Sequence, residues 1–314
     1  MSHTDLRPTS QKVAMWLIKS PLGLKISARG RKKAAETTLD GVENVTLSVP
    51  RSDGSGSTRV RIYKPRDAQA PLPILIYFHG GGYATGWPER HHDTYQRLMQ
   101  AYPCIIVAPA FRLSIEAPYP AGHDDCYDTL LWVAKNAEHL GGRQDWIGVG
   151  GNSSGGGLAL SMALRARDTG DLRLAFQMPL YPMIDDRASN WADLPAHKIT
   201  WSRQHGVLAW HLLLKSVRAE KRYEIPEYAV PARAQDLTNL PPTLSYVGTH
   251  DILLNEVQTL VQTLRTAGND TRFAVFEDLF HAMEDSVPDA GVSTDVHDWL
   301  AREFASLLAQ VCAR

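Results

Sequence analysis

Trp146-Ile-Gly-Val-Gly-Gly-Asn-Ser-Ser-Gly-Gly-Gly-Leu-Ala-Leu160 is the stretch from which the rest of the chain can be read. A short apolar run leads into a glycine-crowded turn, and Leu158, Ala159, Met162 and Ala163 then repeat with helical spacing. The turn Gly151-Asn-Ser-Ser-Gly155 fits G-x-S-x-G, which lifts a serine into an exposed, strained position between a strand and a helix. A serine hydroxyl is a weak nucleophile at neutral pH. It needs a base, a group that orients the base, and donors for the oxyanion it creates. If Ser153 attacks anything, the remaining sequence has to supply these three.

The chain of 314 residues, 44% hydrophobic and 21% charged, has the composition of an ordinary globular protein. A formal net charge of −1 points to neither a nucleic-acid partner nor an anionic membrane surface. Cys104, Cys126 and Cys312 are too few and too scattered for a disulfide framework or a zinc site, and no metal is expected. The apolar patch Val13 to Ile18 is broken by Lys19 and Pro21, too short for a stable membrane anchor and without a signal-peptide cleavage pattern. The reducing cytoplasm is the expected compartment.

Ser10 to Lys33 reads as one or two helices lying on the body. Val45 to Val49 and Arg59 to Tyr63 alternate around Asp53-Gly-Ser-Gly56, a hairpin signal. Six short apolar runs follow, at Ile74–Phe78, Cys104–Ala108, Trp146–Val149, Leu174–Tyr181, Thr243–Val247 and Thr271–Phe276. Helical patterns separate most of them, and an amphipathic helix from Val292 to Val311 closes the chain. This predicts an α/β fold: a mostly parallel central sheet of about eight strands flanked by helices, with the hairpin along one edge. Asp185 to Gln235 interrupts the alternation. At this length it should carry its own structure, and it reads as a helical insertion over the end of the sheet that bears Ser153. The expected organisation is an N-terminal segment 1–40, a core of 41–184 and 236–314, and the insertion 185–235, all in one integrated domain.

Ligands of parallel α/β sheets bind at the carboxyl ends of strands, so partners of Ser153 should follow strands. His281, beyond the run ending at Phe276, suits a catalytic imidazole better than His297 in the closing helix or His250 beside Asp251. Asp251, past the fifth run, is the favoured carboxylate, with Asp278 second because it shares the loop of His281. The order Ser153, Asp251, His281 is the one associated with this elbow. Phe78-His-Gly-Gly-Gly82 follows the first internal strand and can turn backbone N–H groups toward an oxyanion, with the Ser154 amide as a further donor. His91-His92-Asp93 reads as a solvated helix start, not a metal site.

With HGGG, the elbow and this order in place, the chain resembles the hormone-sensitive-lipase-like branch of the α/β-hydrolases, in its bacterial esterase form. The resemblance runs from about Leu75 to Met283. Phe111-Arg-Leu-Ser-Ile-Glu-Ala-Pro-Tyr-Pro-Ala121 is similar to the family's Y-R-L-A-P-E-x-x-x-P-A, and Asp251-Ile-Leu-Leu-Asn-Glu256 to its D-P-L-x-D-E. The resemblance implies Asp251 as the triad acid and Gly81, Gly82 and Ser154 as oxyanion donors. It also implies that His79, Gly80, Asn152, Glu116, Asp125 and Glu256 brace the site, under a cap built from the N-terminal segment and the insertion. The elbow departs from the usual G-D-S-A-G at Asn152 and Ser154, and Ile252 and Asn255 replace a Pro and an Asp.

The chemistry expected is ester hydrolysis through an acyl-enzyme on a small-molecule ester, with no cofactor. Tyr83, Trp87, Trp201 and Trp210 are candidates for an apolar pocket that favours short- to medium-chain acyl groups. An amide or formamide hydrolase with the same triad, or a hydrolase-fold receptor that binds a small ligand without turnover, are the alternatives. The chain could be a monomer, or a homodimer paired along the strand Thr271–Phe276.

Overall fold

The structure, a computed structural model, describes residues 38–69, 71–194, 201–220 and 224–313. The helices expected within Ser10–Lys33, and with them nearly all of the segment 1–40, lie outside the described residues.

Strands β1 (Val42–Pro50) and β2 (Ser57–Pro65) form the antiparallel hairpin. The others are β3 (Leu72–Phe78), β4 (Ile105–Pro109), β5 (Gly142–Asn152), β6 (Phe176–Leu180), β7 (Thr243–His250) and β8 (Thr271–Phe280). They make one sheet in the order β1-β2-β4-β3-β5-β6-β7-β8. Pairing is parallel from β4 to β8, and the hairpin joins through antiparallel β2–β4 contacts. Every residue of β3, β4 and β6 is buried, which is why β3 and β4 read as unbroken apolar runs and β6 carries a single polar residue, Gln177, bonded to Thr243: helices cover both faces.

Helices α1 (His92–Ala101), α2 (Ala121–Asn136), α3 (Ser154–Thr169), α6 (Leu254–Thr266) and α8 (Gly291–Cys312) flank the sheet. Between β6 and β7 the described residues carry α4 (Arg203–Leu213), α5 (Lys215–Ala219) and short 3-10 turns. One turn of helix, α7 (Met283–Ser286), separates β8 from α8.

Two sequence expectations need correction. β8 does not stop at Phe276 but runs to Phe280, because a register shift beyond Gly248 lets His250 pair with Phe280. His281 therefore leaves the strand directly instead of sitting in a loose loop. Nor are His91 and His92 a solvated helix start. His91 is buried 5.7 Å from the Tyr77 ring, and His92 Nε2 lies 2.9 Å from the Tyr63 hydroxyl, so this polar pair packs inside a tyrosine cluster.

Candidate active site

The elbow is formed where β5 hands over to α3. Ser153 sits at φ 55°, ψ −121°, a conformation that costs an L-residue roughly 1–3 kcal/mol and persists only when its surroundings impose it. They do so through main-chain bonds. Ser153 N donates to Leu180 O at 3.0 Å, and Ser153 O accepts from Gly157 N at 3.0 Å and Met183 N at 2.9 Å. The two motif glycines have a steric reason: a Cβ at Gly151 or Gly155 would lie 2.3 or 2.0 Å from Phe78 O of β3. Only without side chains can the turn press this close to the neighbouring strand.

The loop after β3 is fastened to the same elbow. Gly80 N donates to Asn152 Oδ1 at 3.1 Å. Gly81 adopts φ +125°, where a Cβ would meet Thr85 O at 2.2 Å, so this position admits glycine alone. The Gly81 carbonyl accepts from Ala84 N, Thr85 N and the Thr85 hydroxyl, which folds Gly81–Thr85 into a tight turn. His79 stacks on Phe111 at 4.3 Å, and its Nδ1 lies 2.9 Å from Gly80 O. Ser154 opens α3, where a first-turn amide has no carbonyl within the helix to bond.

Three side chains from three strand ends converge. His281 Nε2 is 2.9 Å from Ser153 Oγ, and His281 Nδ1 is 2.7 Å from Asp251 Oδ2. A carboxylate only accepts, so the ring proton sits on Nδ1 and Nε2 is left to accept from the serine hydroxyl. Asp251 Oδ1 accepts from Leu253 N at 3.0 Å, which fixes the carboxylate in its turn. All three residues are at least nine-tenths buried, at 5%, 7% and 2% exposure for Ser153, His281 and Asp251. Asp278 points elsewhere: it is exposed and lies 3.6 Å from His250.

The bracing residues fall into two groups. Glu256, in the first turn of α6, accepts from Ile184 N at 2.9 Å and so ties the start of the insertion to the turn carrying Asp251. Burial pushes its pKa well above the usual carboxylate range. Asp125, fully buried, accepts from Arg112 N, Nε and Nη2 and meets Arg51 at 3.1 Å, which clamps the Phe111–Ala121 turn onto α2. Glu116 is exposed and reaches Leu113 N within its own turn at 3.4 Å.

Of the four pocket aromatics, Trp201 lies against the reacting groups, its ring stacked 5.9 Å from that of His281. Tyr83 and Trp210 are packed instead. The Tyr83 hydroxyl donates to Met183 O at 2.6 Å, its ring lies 5.3 Å from Trp210, and both residues are at most 3% exposed. Trp87 is half-buried ahead of α1.

Sequence reasoning missed Tyr181 and Asp285. Tyr181 follows β6 at φ 32°, sets its ring edge-on to His281 at 5.2 Å and accepts from Asn152 Nδ2 at 2.9 Å. The sequence marked it only as the last residue of the apolar run Leu174–Tyr181. A cavity lined by Asn152, Tyr181, Tyr246, Glu284 and Asp285 adjoins this group. Its lining does not include Ser153, Asp251 or His281, so it is not the space in which a substrate would meet the serine. Among the described residues no group of three His, Cys, Asp or Glu could hold a metal ion.

Such an arrangement can move a proton from a serine to an imidazole whose far nitrogen is held by a carboxylate, beside a glycine turn rich in amides. The model of the alpha/beta hydrolase fold family matches residues 75–285, more than half of the chain. Carboxylesterase NlhH of Mycobacterium tuberculosis is 32% identical over 225 residues, covering 69% of this chain and 68% of that protein. An arylesterase of Saccharolobus solfataricus is 27% identical over 245 residues, covering 73% and 77%. Among solved structures, a bacterial heroin esterase superposes with a TM-score of 0.80 at 31% identity, over 91% of this chain and 90% of that one. The chain belongs to the α/β-hydrolase fold family, in its hormone-sensitive-lipase-like branch.

Proposed function

We propose that the chain is a serine carboxylesterase that hydrolyses short- to medium-chain acyl esters of small molecules through an acyl-enzyme. The observation that carries this reading is the relay from Ser153 Oγ to His281 Nε2 at 2.9 Å and from His281 Nδ1 to Asp251 Oδ2 at 2.7 Å.

In the first half-reaction His281 Nε2 takes the hydroxyl proton as Ser153 Oγ bonds to the ester carbonyl carbon, and the carbonyl π pair moves onto oxygen. Asp251 holds the ring in the tautomer that can do this and steadies the imidazolium. Amides of Gly81, Gly82 and Ser154 receive the oxyanion, each worth roughly 3–4 kcal/mol in such sites. Collapse breaks the carbon–alkoxide bond, and the departing oxygen takes the proton from His281. Water then repeats the sequence: it loses a proton to His281 while its oxygen attacks the acyl carbon, and Ser153 recovers the proton as the carboxylic acid leaves.

The esterases among the relatives support an ester as substrate, and the Trp201 ring over His281 supports a confined acyl site. A series of chromogenic esters of increasing acyl length, assayed on the wild type and on Ser153→Ala, tests the proposal. Turnover should peak at short to medium chains and fall by roughly 10⁴-fold or more in the variant. A variant that keeps most of its activity would refute the role given to Ser153.

A further inference from the structure

Asn152, immediately before the nucleophile, uses both ends of its carboxamide. Oδ1 accepts from Gly80 N at 3.1 Å, while Nδ2 donates to the Tyr181 hydroxyl at 2.9 Å and toward Asp285 Oδ2 at 3.4 Å. The Gly80 amide can only donate, so the oxygen must face the glycine loop and the NH₂ must face Tyr181 and Asp285. Asp285 lies four positions beyond His281 on α7, and it is engaged from the other side by His91 Nδ1 at 3.5 Å and the Thr94 hydroxyl at 3.4 Å. One side chain thus joins the loop of the proposed oxyanion donors, the serine elbow and the helix that follows the base.

We propose that Asn152 is a positioning residue for the oxyanion loop, and that its neutrality is matched to Asp285, so that the 152/285 pair tolerates one carboxylate and not two. The assignment rests on the esterase reading for its catalytic consequence, but the pairing itself does not.

The physical argument is local. A carboxylate at position 152 could still accept from Gly80 N, yet its second oxygen would face Asp285 Oδ2 across the present 3.4 Å with no hydrogen to share. Asp285 does not relieve this by holding a proton. Its side chain is a quarter exposed, and the contacts with His91 and Thr94 together with nearby positive charge outweigh the partial loss of water and keep the carboxyl below its usual range. Two like charges at this separation push apart. Because α3 and the main-chain bonds of Ser153 hold the elbow, the displacement falls on the loop after β3 and on the partly exposed Asp285 side chain.

The test is a double-mutant cycle of Asn152→Asp and Asp285→Asn, read by ester hydrolysis and by urea midpoint. Asn152→Asp should lower kcat by about 10- to 100-fold while KM stays within about twofold, since the loop is displaced and the substrate pocket is not. Adding Asp285→Asn to that variant should recover most of the lost kcat and raise its urea midpoint, an effect that simple loss of packing at either site would not produce. Wild-type activity in Asn152→Asp, or a double variant no faster and no more stable than Asn152→Asp, overturns the proposal; a double variant that stays unfolded counts the same way. A wild-type chain inert toward all esters would sink the esterase reading alone, and the urea midpoints would still decide the pairing.

Discussion

Asp251 has one task that no neighbour can perform, which is to hold the Nδ1 proton of His281. Its other oxygen is committed to Leu253 N, so the carboxylate cannot swing away and be replaced by water without breaking its own turn. Asp251→Asn should keep the backbone and the 2.9 Å contact of His281 with Ser153, but the amide can donate to Nδ1 and so favours the wrong tautomer. We expect kcat for an acyl ester to fall about 10⁴-fold with little change in thermal stability. Rate and melting temperature measured on one preparation check both halves. The meeting of Ser153, Asp251 and His281 was legible because each follows a strand, and the position rule for parallel sheets leaves few candidates. Tyr181 was not: its ring reaches His281 and its hydroxyl reaches Asn152 only because the residue sits at φ 32°, a backbone choice that a tyrosine does not advertise.

At the scale of elements, α6 and the insertion are joined by Glu256. Burial shifts the Glu256 carboxyl toward its neutral form, in which it still accepts from Ile184 N. Glu256→Gln preserves that acceptor and should change the urea midpoint little. Glu256→Ala strands a buried amide and should cost about 1–3 kcal/mol in the same measurement. Equal losses in the two variants would contradict a neutral acceptor at this position. The sheet itself was legible from its apolar runs, since complete burial leaves β3 and β4 wholly apolar and β6 with Gln177 as its one polar residue. The end of β8 was not, because Glu277 and Asp278 look like a loop while lying on the exposed edge of the sheet. His91 and His92 misled in the opposite direction: polar letters in sequence, they are partners of buried tyrosines in space.

For the molecule as a whole, Glu284 makes stability depend on pH. Burial, and then the charge of neighbouring Asp285, push its pKa up to about 7 from a usual value of 4.5. Between those two values the folded chain holds a proton that the unfolded chain has released, so stability falls as pH rises, by up to about 1.4 kcal/mol per pH unit, and levels off above about 7. The contribution is intact below pH 4.5 and lost as the pH passes through about 7. Urea unfolding of the wild type should show this decline between about pH 5 and 7, and Glu284→Gln should make it shallower, leaving the part that Glu256, also raised by burial, contributes; an unchanged slope would place the titration elsewhere. The spacing of the site along the chain has a consequence of a different kind. Ser153 and His281 are 128 positions apart, and His281 arrives on β8, the last strand, at the edge of the sheet. His281 therefore cannot meet Ser153 until β5, β6, β7 and β8 have docked side by side. A polypeptide still emerging from the ribosome, or a refolding intermediate that lacks its final strand, is chemically silent, and regained turnover reports the completion of folding more strictly than any spectroscopic signal from the core.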